Sequence, residues 1–363
     1  MLKQSYDIPP LPPAAEFETV AILKALAIAH RHLGEMKGRA SAIPNQRILI
    51  DTLSLQEARA SSEIENIVTT QDELFQADLF PDAAGSAAAK EVALYRDTLR
   101  QGAEDLARSG LITNATIIRM FQTLKRHDGG FRTTPGTALR HDRTGAIVYV
   151  PPQNGADIIA HMTALERFIN EDDVSSLDPL IKMAIIHHQF ESIHPFPDGN
   201  GRLGRIINVL YLTRAGLLDI PVLYLSRHIT RNKNDYYRLL QAVRDTGAWQ
   251  DWVLYMLEGV AVSAQITLTL IEGIRSLMAA TKKRLREELP NLYSQDLLNN
   301  LYRHPYTRID FVAGDLGVTR QTAAKRLDTL AEHGFVTKVQ AGRANYYVNT
   351  GLVALLMRVS EEA

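Results

Sequence analysis

The stretch H-P-F-P-D-G-N-G-R-L-G-R, residues 194–205, decides how this chain reads. Asp198-Gly199-Asn200-Gly201 is a tight turn whose glycines let backbone N–H groups converge on an anion. The turn runs into a helix expected over residues 202–214, and a helix N-terminus favours negative charge through its orphan N–H groups and dipole. Arg202 and Arg205 stand at i and i+3, so both guanidiniums lie near one face and can fork onto phosphate oxygens. Asp198 offers one carboxylate, which is what Mg²⁺ needs when a triphosphate supplies its other oxygens. His194 ends the preceding helix and is a titratable candidate base facing the same loop. Each feature alone has a bland reading as a cap, a turn or a solvated arginine. All of them within twelve residues do not.

Helical periodicity surrounds this loop. Helices are expected over residues 16–33, closed by Gly34, then over 48–67, 91–106 and 115–124, and again from Gly155 onward. Pro9, Pro10, Pro12 and Pro13 keep the first dozen residues extended. Residues 81–90 are small and polar, a loop or helix entry. Asp178 followed by Pro179 is an N-cap with proline at the first helical position, opening a long apolar helix that leads to His194. Residues 131–152 are the exception, two β-prone runs about Asp142-Arg143-Thr144-Gly145 that read as a hairpin. From residue 297 the order changes to three helices and two strands, 335–337 and 346–348, with Thr319 as N-cap of the third helix. That is a winged helix-turn-helix pattern.

Composition narrows the classes. The 363 residues suggest two or three domains, and a hydrophobic fraction of 45% with 22% charged residues suits a packed core. With no cysteine there is no disulfide framework, thiolate nucleophile or Cys-ligated metal. A net charge of −1 gives no global pull toward nucleic acid or anionic membranes. The N-terminus MLKQSYDIPPLPP lacks the pattern of a secretory signal, and no stretch approaches about 18 consecutive apolar residues. The expectation is a cytoplasmic protein that does not enter membranes.

The string 194–205 resembles the signature of Fic-domain proteins, His-x-Phe-x-Asp/Glu-Gly-Asn-Gly-Arg-x-x-Arg, at every defining position. Phe190-Glu191 before it and Tyr236-Tyr237 after it are also similar. The resemblance implies a mainly α fold with a Fic-type helical core and a β-hairpin flap, beside the C-terminal winged helix-turn-helix domain. It divides the chain into a Fic-associated N-terminal region (1–90), a catalytic core (91–260), a helical linker (261–290) and the C-terminal domain (291–363). It implies transfer of AMP from ATP onto a Tyr, Ser or Thr hydroxyl of a target protein or of the chain itself. His194 would be the general base, and Asp198 the Mg²⁺ ligand. The ATP-binding set would be Glu65, Asp198, Gly199, Asn200, Gly201, Arg202, Leu203, Gly204, Arg205, Tyr236 and Tyr237, at least one of the two tyrosines lining an adenine pocket. Asn200 and the Gly199 and Gly201 backbone would hold the α-phosphate, and Arg202 and Arg205 the β- and γ-phosphates. Phe196 would anchor the loop in the core. Gly201 stands where kinase-like relatives tend to carry lysine, which favours adenylyl over phosphoryl transfer.

Further elements join the resemblance. The hairpin matches the family's flap, with Thr137, Ala138 and Leu139 as the edge that aligns a target strand. Ser61-Ser62-Glu63-Ile64-Glu65-Asn66 fits the inhibitory pattern Ser/Thr-x-x-x-Glu-Gly/Asn. Ser61 and Glu65 project from one helix face, so Glu65 would pair with Arg205 and occupy the γ-phosphate's place. His187 and His188 lack zinc spacing and read as core residues. In the C-terminal domain, over residues 297–349, Arg303, Arg308, Arg320, Lys325, Arg326, Lys338 and Arg343 outnumber the acids Asp310, Asp315, Asp328 and Glu332 by three. DNA through that domain and a homodimer therefore stay open as partners. The reading is an autoinhibited protein adenylyltransferase. A DNA-binding regulator with a nucleotide-sensing core is the competitor, and an enzyme that also removes AMP, with Glu65 activating water, is a third.

Overall fold

The computed structural model describes residues 6–41, 43, 45–70, 73–74, 86–141, 144–341 and 344–362. Part of the polar stretch 81–90, the turn residues Asp142 and Arg143, and Arg343 lie outside them. The chain is mainly helical, with two small sheets among the described residues.

The centre is a helix pair around the signature loop. α6 (Pro179–Ile193) is capped by Asp178, whose side chain accepts the Leu180 N–H, and all its residues after Pro179 are buried. A helix buried on every side must be wrapped by others, and α5 (Gly155–Asn170), α7 (Asn200–Arg214) and α10 (Trp249–Glu288) pack against it. α7 is itself enclosed by α3 (Ala87–Ser109) and α4 (Asn114–Lys125). α10 is long and apolar enough by composition to cross a membrane, but two thirds of that stretch is buried in the core. α1 (Val20–Ala40) runs along it. α2 (Arg47–Ile64) lies on α3 and α8 (Leu225–Arg231), and α9 (Lys233–Thr246) closes the bundle against α10.

The hairpin is smaller than its sequence suggests. β1 (Leu139–Arg140) and β2 (Ile147–Tyr149) pair antiparallel, and the register shifts between Leu139 and Arg140. Beyond α10 come α11 (Gln295–Arg303), β3 (Tyr306–Thr307), α12 (Ile309–Leu316), α13 (Arg320–Glu332), β4 (Thr337–Ala341), β5 (Ala344–Val348) and α14 (Thr350–Glu362). The sheet order is β3-β5-β4, all antiparallel. Thr319 caps α13 as expected, its hydroxyl accepting the Thr322 N–H.

Two boundaries moved for local reasons. Gly34 does not close α1, because Met36 and Ala40 continue the buried stripe of Leu26, Ala29 and Leu33. α2 stops at Ile64 rather than 67, because Asn66 takes a left-handed φ of 63° and the Ile67 N–H bonds back to the Ser62 carbonyl.

Candidate functional site

The loop between α6 and α7 is shaped from within. His194 has a left-handed φ of 49° and ends α6, and Gly199 follows at 78° before α7 begins. Asn200 bridges the loop by accepting the Phe196 N–H at 2.9 Å and donating to the Phe196 carbonyl at 2.8 Å. Its side chain therefore holds the loop's shape, so backbone N–H groups carry most of any phosphate contact. Phe196 stacks on Phe121 with ring centroids 4.2 Å apart and anchors the loop in the core. Gly201 is a glycine because a β-carbon there would stand 2.6 Å from a Glu65 oxygen and 3.0 Å from Arg205.

The charged groups form one network. Arg205 Nε donates to the Ser61 hydroxyl at 2.7 Å, and its Nη2 donates to the Ser61 carbonyl at 2.9 Å and to Glu65 Oε1 at 2.8 Å. Glu65 also takes Arg202 Nε at 2.8 Å. The expected partner was Arg205 alone; the carboxylate in fact spans both arginines. Burial works against the charge on Arg205, but Glu65 and neighbouring acidic groups hold its pKa above the ordinary range. Ser61 is fully buried, so its helix face is not a solvated one. Asn66 closes α2 and accepts Lys233 Nζ at 3.0 Å.

Asp198 lies at the rim. Its Oδ1 accepts the Gly199 N–H and its Oδ2 sits 2.6 Å from Lys125 Nζ, which also donates to Glu91 at 3.0 Å. Burial would raise the Asp198 pKa; Lys125 outweighs it and holds the carboxyl ionised. Lys125 and Glu91 belong to helices far from the loop in the chain, so no local pattern marks them. His194 is neutral because burial, then Arg244 and Arg132, push its pKa down to about 4, against a hydrogen bond to the Glu191 backbone. Arg132 was missed as well. It donates Nε to the His194 carbonyl at 2.8 Å and Nη2 to the Ile193 carbonyl at 3.3 Å, so a residue of the hairpin's entry fixes the backbone that carries His194.

Other expected residues lie outside this cluster. Leu203 is core, and Gly204 faces Glu191 and His187 of α6 rather than the cradle. Tyr236 is buried with its hydroxyl 2.8 Å from His187 Nε2, while Tyr237 is exposed. His187 and His188 are core residues as expected. Of the flap edge only Leu139 lies in a strand. Thr137 and Ala138 precede it, and the Thr137 carbonyl already accepts Gln153 at 2.9 Å.

Comparison with known proteins follows the same outline. Residues 23–104 match the Fic/DOC family N-terminal model, 112–212 the Fic/DOC family model, and 277–352 the C-terminal domain of SoFic-like protein adenylyltransferases. A protein adenylyltransferase Fic of Drosophila yakuba is 30% identical over 130 residues, 36% of this chain and 25% of that protein. Its Drosophila erecta counterpart is 28% identical over the same share. The chain thus spans about a quarter of the length of the curated relatives it matches. Among solved structures, a Fic family protein from Desulfovibrio desulfuricans superposes with a TM-score of 0.55 at 21% identity, covering 94% of this chain and 98% of that one. A Fic domain containing signaling protein from Bacteroides thetaiotaomicron gives 0.54 at 18% identity, covering 69% and 97%. With its N-terminal, central and C-terminal regions each matching such a model in order, the chain belongs to the Fic/DOC family.

Proposed function

We propose that this chain is a protein adenylyltransferase held inactive by α2. The single observation that carries the reading is Glu65 seated on Arg202 and Arg205, a carboxylate on the two cations best placed for a polyphosphate. The acceptor hydroxyl of a target protein, or of the chain itself, attacks the α-phosphorus of ATP. The bond to the bridging oxygen of the β-phosphate breaks and pyrophosphate leaves. His194, kept neutral by burial, takes the hydroxyl proton. The backbone from Gly199 to Gly201 and the α7 N-terminus orient the α-phosphate, and Arg202 and Arg205 neutralise the departing pyrophosphate.

The donor set suits Mg²⁺ in one form only. Among the described residues no three His, Cys, Asp or Glu side chains gather around a cation. Asp198 is a half-exposed hard oxygen ligand, right for an ion that takes its remaining oxygens from phosphate and water. Such an ion would add positive charge beside the α- and β-phosphates. The C-terminal order reads as a winged helix. A DNA role gains nothing from its ion pairs, because Arg320 is engaged by Asp310 and Lys338 by Asp328.

The test is intact-mass spectrometry of the purified chain and of a lysate after incubation with ATP and Mg²⁺. Glu65→Gly should add AMP to protein, and Glu65→Gly with His194→Ala should not. No adduct on any protein from Glu65→Gly would reject the activity.

A further inference from the structure

The inhibitory helix is held at three levels. At its C-terminal end Ser61 and Glu65 engage α7. In its middle Glu57 accepts the Ser226 N–H of α8 at 3.0 Å, and the Ser226 hydroxyl as well. Near its start Asp51 receives Arg100 of α3 at 3.1 Å and Arg303 of α11 at 2.5 Å. The third level differs in kind, since Arg303 belongs to the C-terminal domain and no step of AMP transfer uses it.

This pair is part of a packed contact. α11 lies against α2, and the Asp51 and Arg303 side chains are only 13% and 26% exposed. Arg303 is also 3.6 Å from Asp315, which accepts Asn300 Nδ2 at 2.8 Å. Asp315 sits in the last turn of α12, just before the Gly317-Val318 turn that leads into α13. A line of charged contacts thus runs from the helix-turn-helix to the start of α2. At 1.5 Å per residue Asp51 is about 21 Å along the helix axis from Glu65. A helix transmits over that distance because it moves as a body, bending only at particular sequence features. α2 contains no proline or glycine at which to bend.

We propose that the C-terminal domain serves as the clamp of the inhibitory helix. Arg303 on Asp51 keeps α2 in the seat from which Glu65 reaches Arg202 and Arg205. A change at the turn between α12 and α13 reaches the nucleotide site through this contact. The clamp rests on the reading of Glu65 as inhibitor.

The test uses the purified full chain, labelled ATP and hydrogen exchange across α2. Arg303→Gln should speed exchange in α2 and raise self-labelling about two- to fivefold, the scale of a partly exposed ion pair. Arg303→Lys, which keeps the charge, should stay near wild type. In a Glu65→Gly background Arg303→Gln should add nothing, because the helix it releases no longer inhibits. Wild-type exchange in Arg303→Gln overturns the clamp whatever the labelling does. So does unchanged labelling of Arg303→Gln alongside a strongly active Glu65→Gly. If Glu65→Gly is itself inactive, the inhibitory reading has failed, and exchange alone still shows whether α11 holds α2.

Discussion

Replacing Glu65 by glycine removes two charge-assisted hydrogen bonds of 2.8 Å each, to Arg202 and to Arg205. Both arginines are almost fully buried, so withdrawing the carboxylate in the wild-type protein strips Arg205 of its carboxylate partner and leaves Arg202 with only the longer contacts to Glu91 at 3.4 Å and Asp198 at 4.0 Å. Removing one partner of a buried pair costs about 3–5 kcal/mol. At 1.4 kcal/mol per factor of ten, the released state of the wild type is therefore disfavoured by roughly two to three orders of magnitude. Glu65→Gly abolishes the competition, so self-labelling should rise by about 10²-fold. Glu65→Gln still accepts hydrogen bonds without the charge and should rise about tenfold. Turnover should rise more than ATP binding tightens, because the carboxylate stands against the γ-phosphate and misaligns the α-phosphate. Stability gives an independent reading: Glu65→Gly should melt below wild type without nucleotide and recover with ATP and Mg²⁺, whose phosphates take over the arginines. Equal labelling by wild type, Glu65→Gln and Glu65→Gly would refute the reasoning.

His194→Ala in the Glu65→Gly background should lose 10²–10⁴-fold in labelling while still binding ATP, measured by equilibrium binding. In the same background kcat/KM should show no histidine limb near pH 6.5, since burial holds His194 at about 4. Gly201→Ala should weaken ATP binding even without Glu65, as a methyl there sits 3.0 Å from Arg205, and unchanged affinity would show that phosphate lies elsewhere. Stability should have a maximum close to pH 6.5, read from urea midpoints between pH 4 and 8. Burial depresses His187 to about 3 and His194 to about 4, so their stabilisation is full above 6.5 and lost as pH falls, when the unfolded chain takes up the protons. Burial raises Glu57 and Glu191 to about 7, so theirs is full below 4.5 and lost as pH rises through 7. The two sets largely offset each other in between, where His188, also depressed by burial, tips the slope upward with pH. Each group contributes about 1.4 kcal/mol per pH unit, and a flat profile would contradict these burials.

The cradle was legible because its chemistry is local. Turn glycines, the arginine spacing and the helix entry are all set within residues 194–205, and the Asp178-Pro179 cap announced α6. The contact of Glu65 with Arg202 was not legible, because it joins residues 137 positions apart on a face that only packing defines. Arg132 escaped for another reason. Its partners are backbone carbonyls, which carry no residue-type signal. β3 is two residues long and exists only by pairing with β5. The fall of the flap edge from three residues to Leu139 alone reflects Gln153, whose amide takes the Thr137 carbonyl that a strand would offer.

α10 sets a phase relation between the two ends of the molecule. Its 40 residues make a rod of about 60 Å, with the bundle around the signature loop along one part and α14 along another. Past its midpoint Gly273 admits Leu355 of α14 so closely that a β-carbon would stand 2.7 Å from it. One residue inserted between the two contacts would turn the C-terminal domain by about 100° and advance it about 1.5 Å, carrying Arg303 off Asp51. Seven inserted residues, close to two full turns, would restore the angle but leave the domain about 10 Å further along. The length of α10 is therefore fixed residue by residue, in rotation and in rise together, wherever the C-terminal domain must still meet α2.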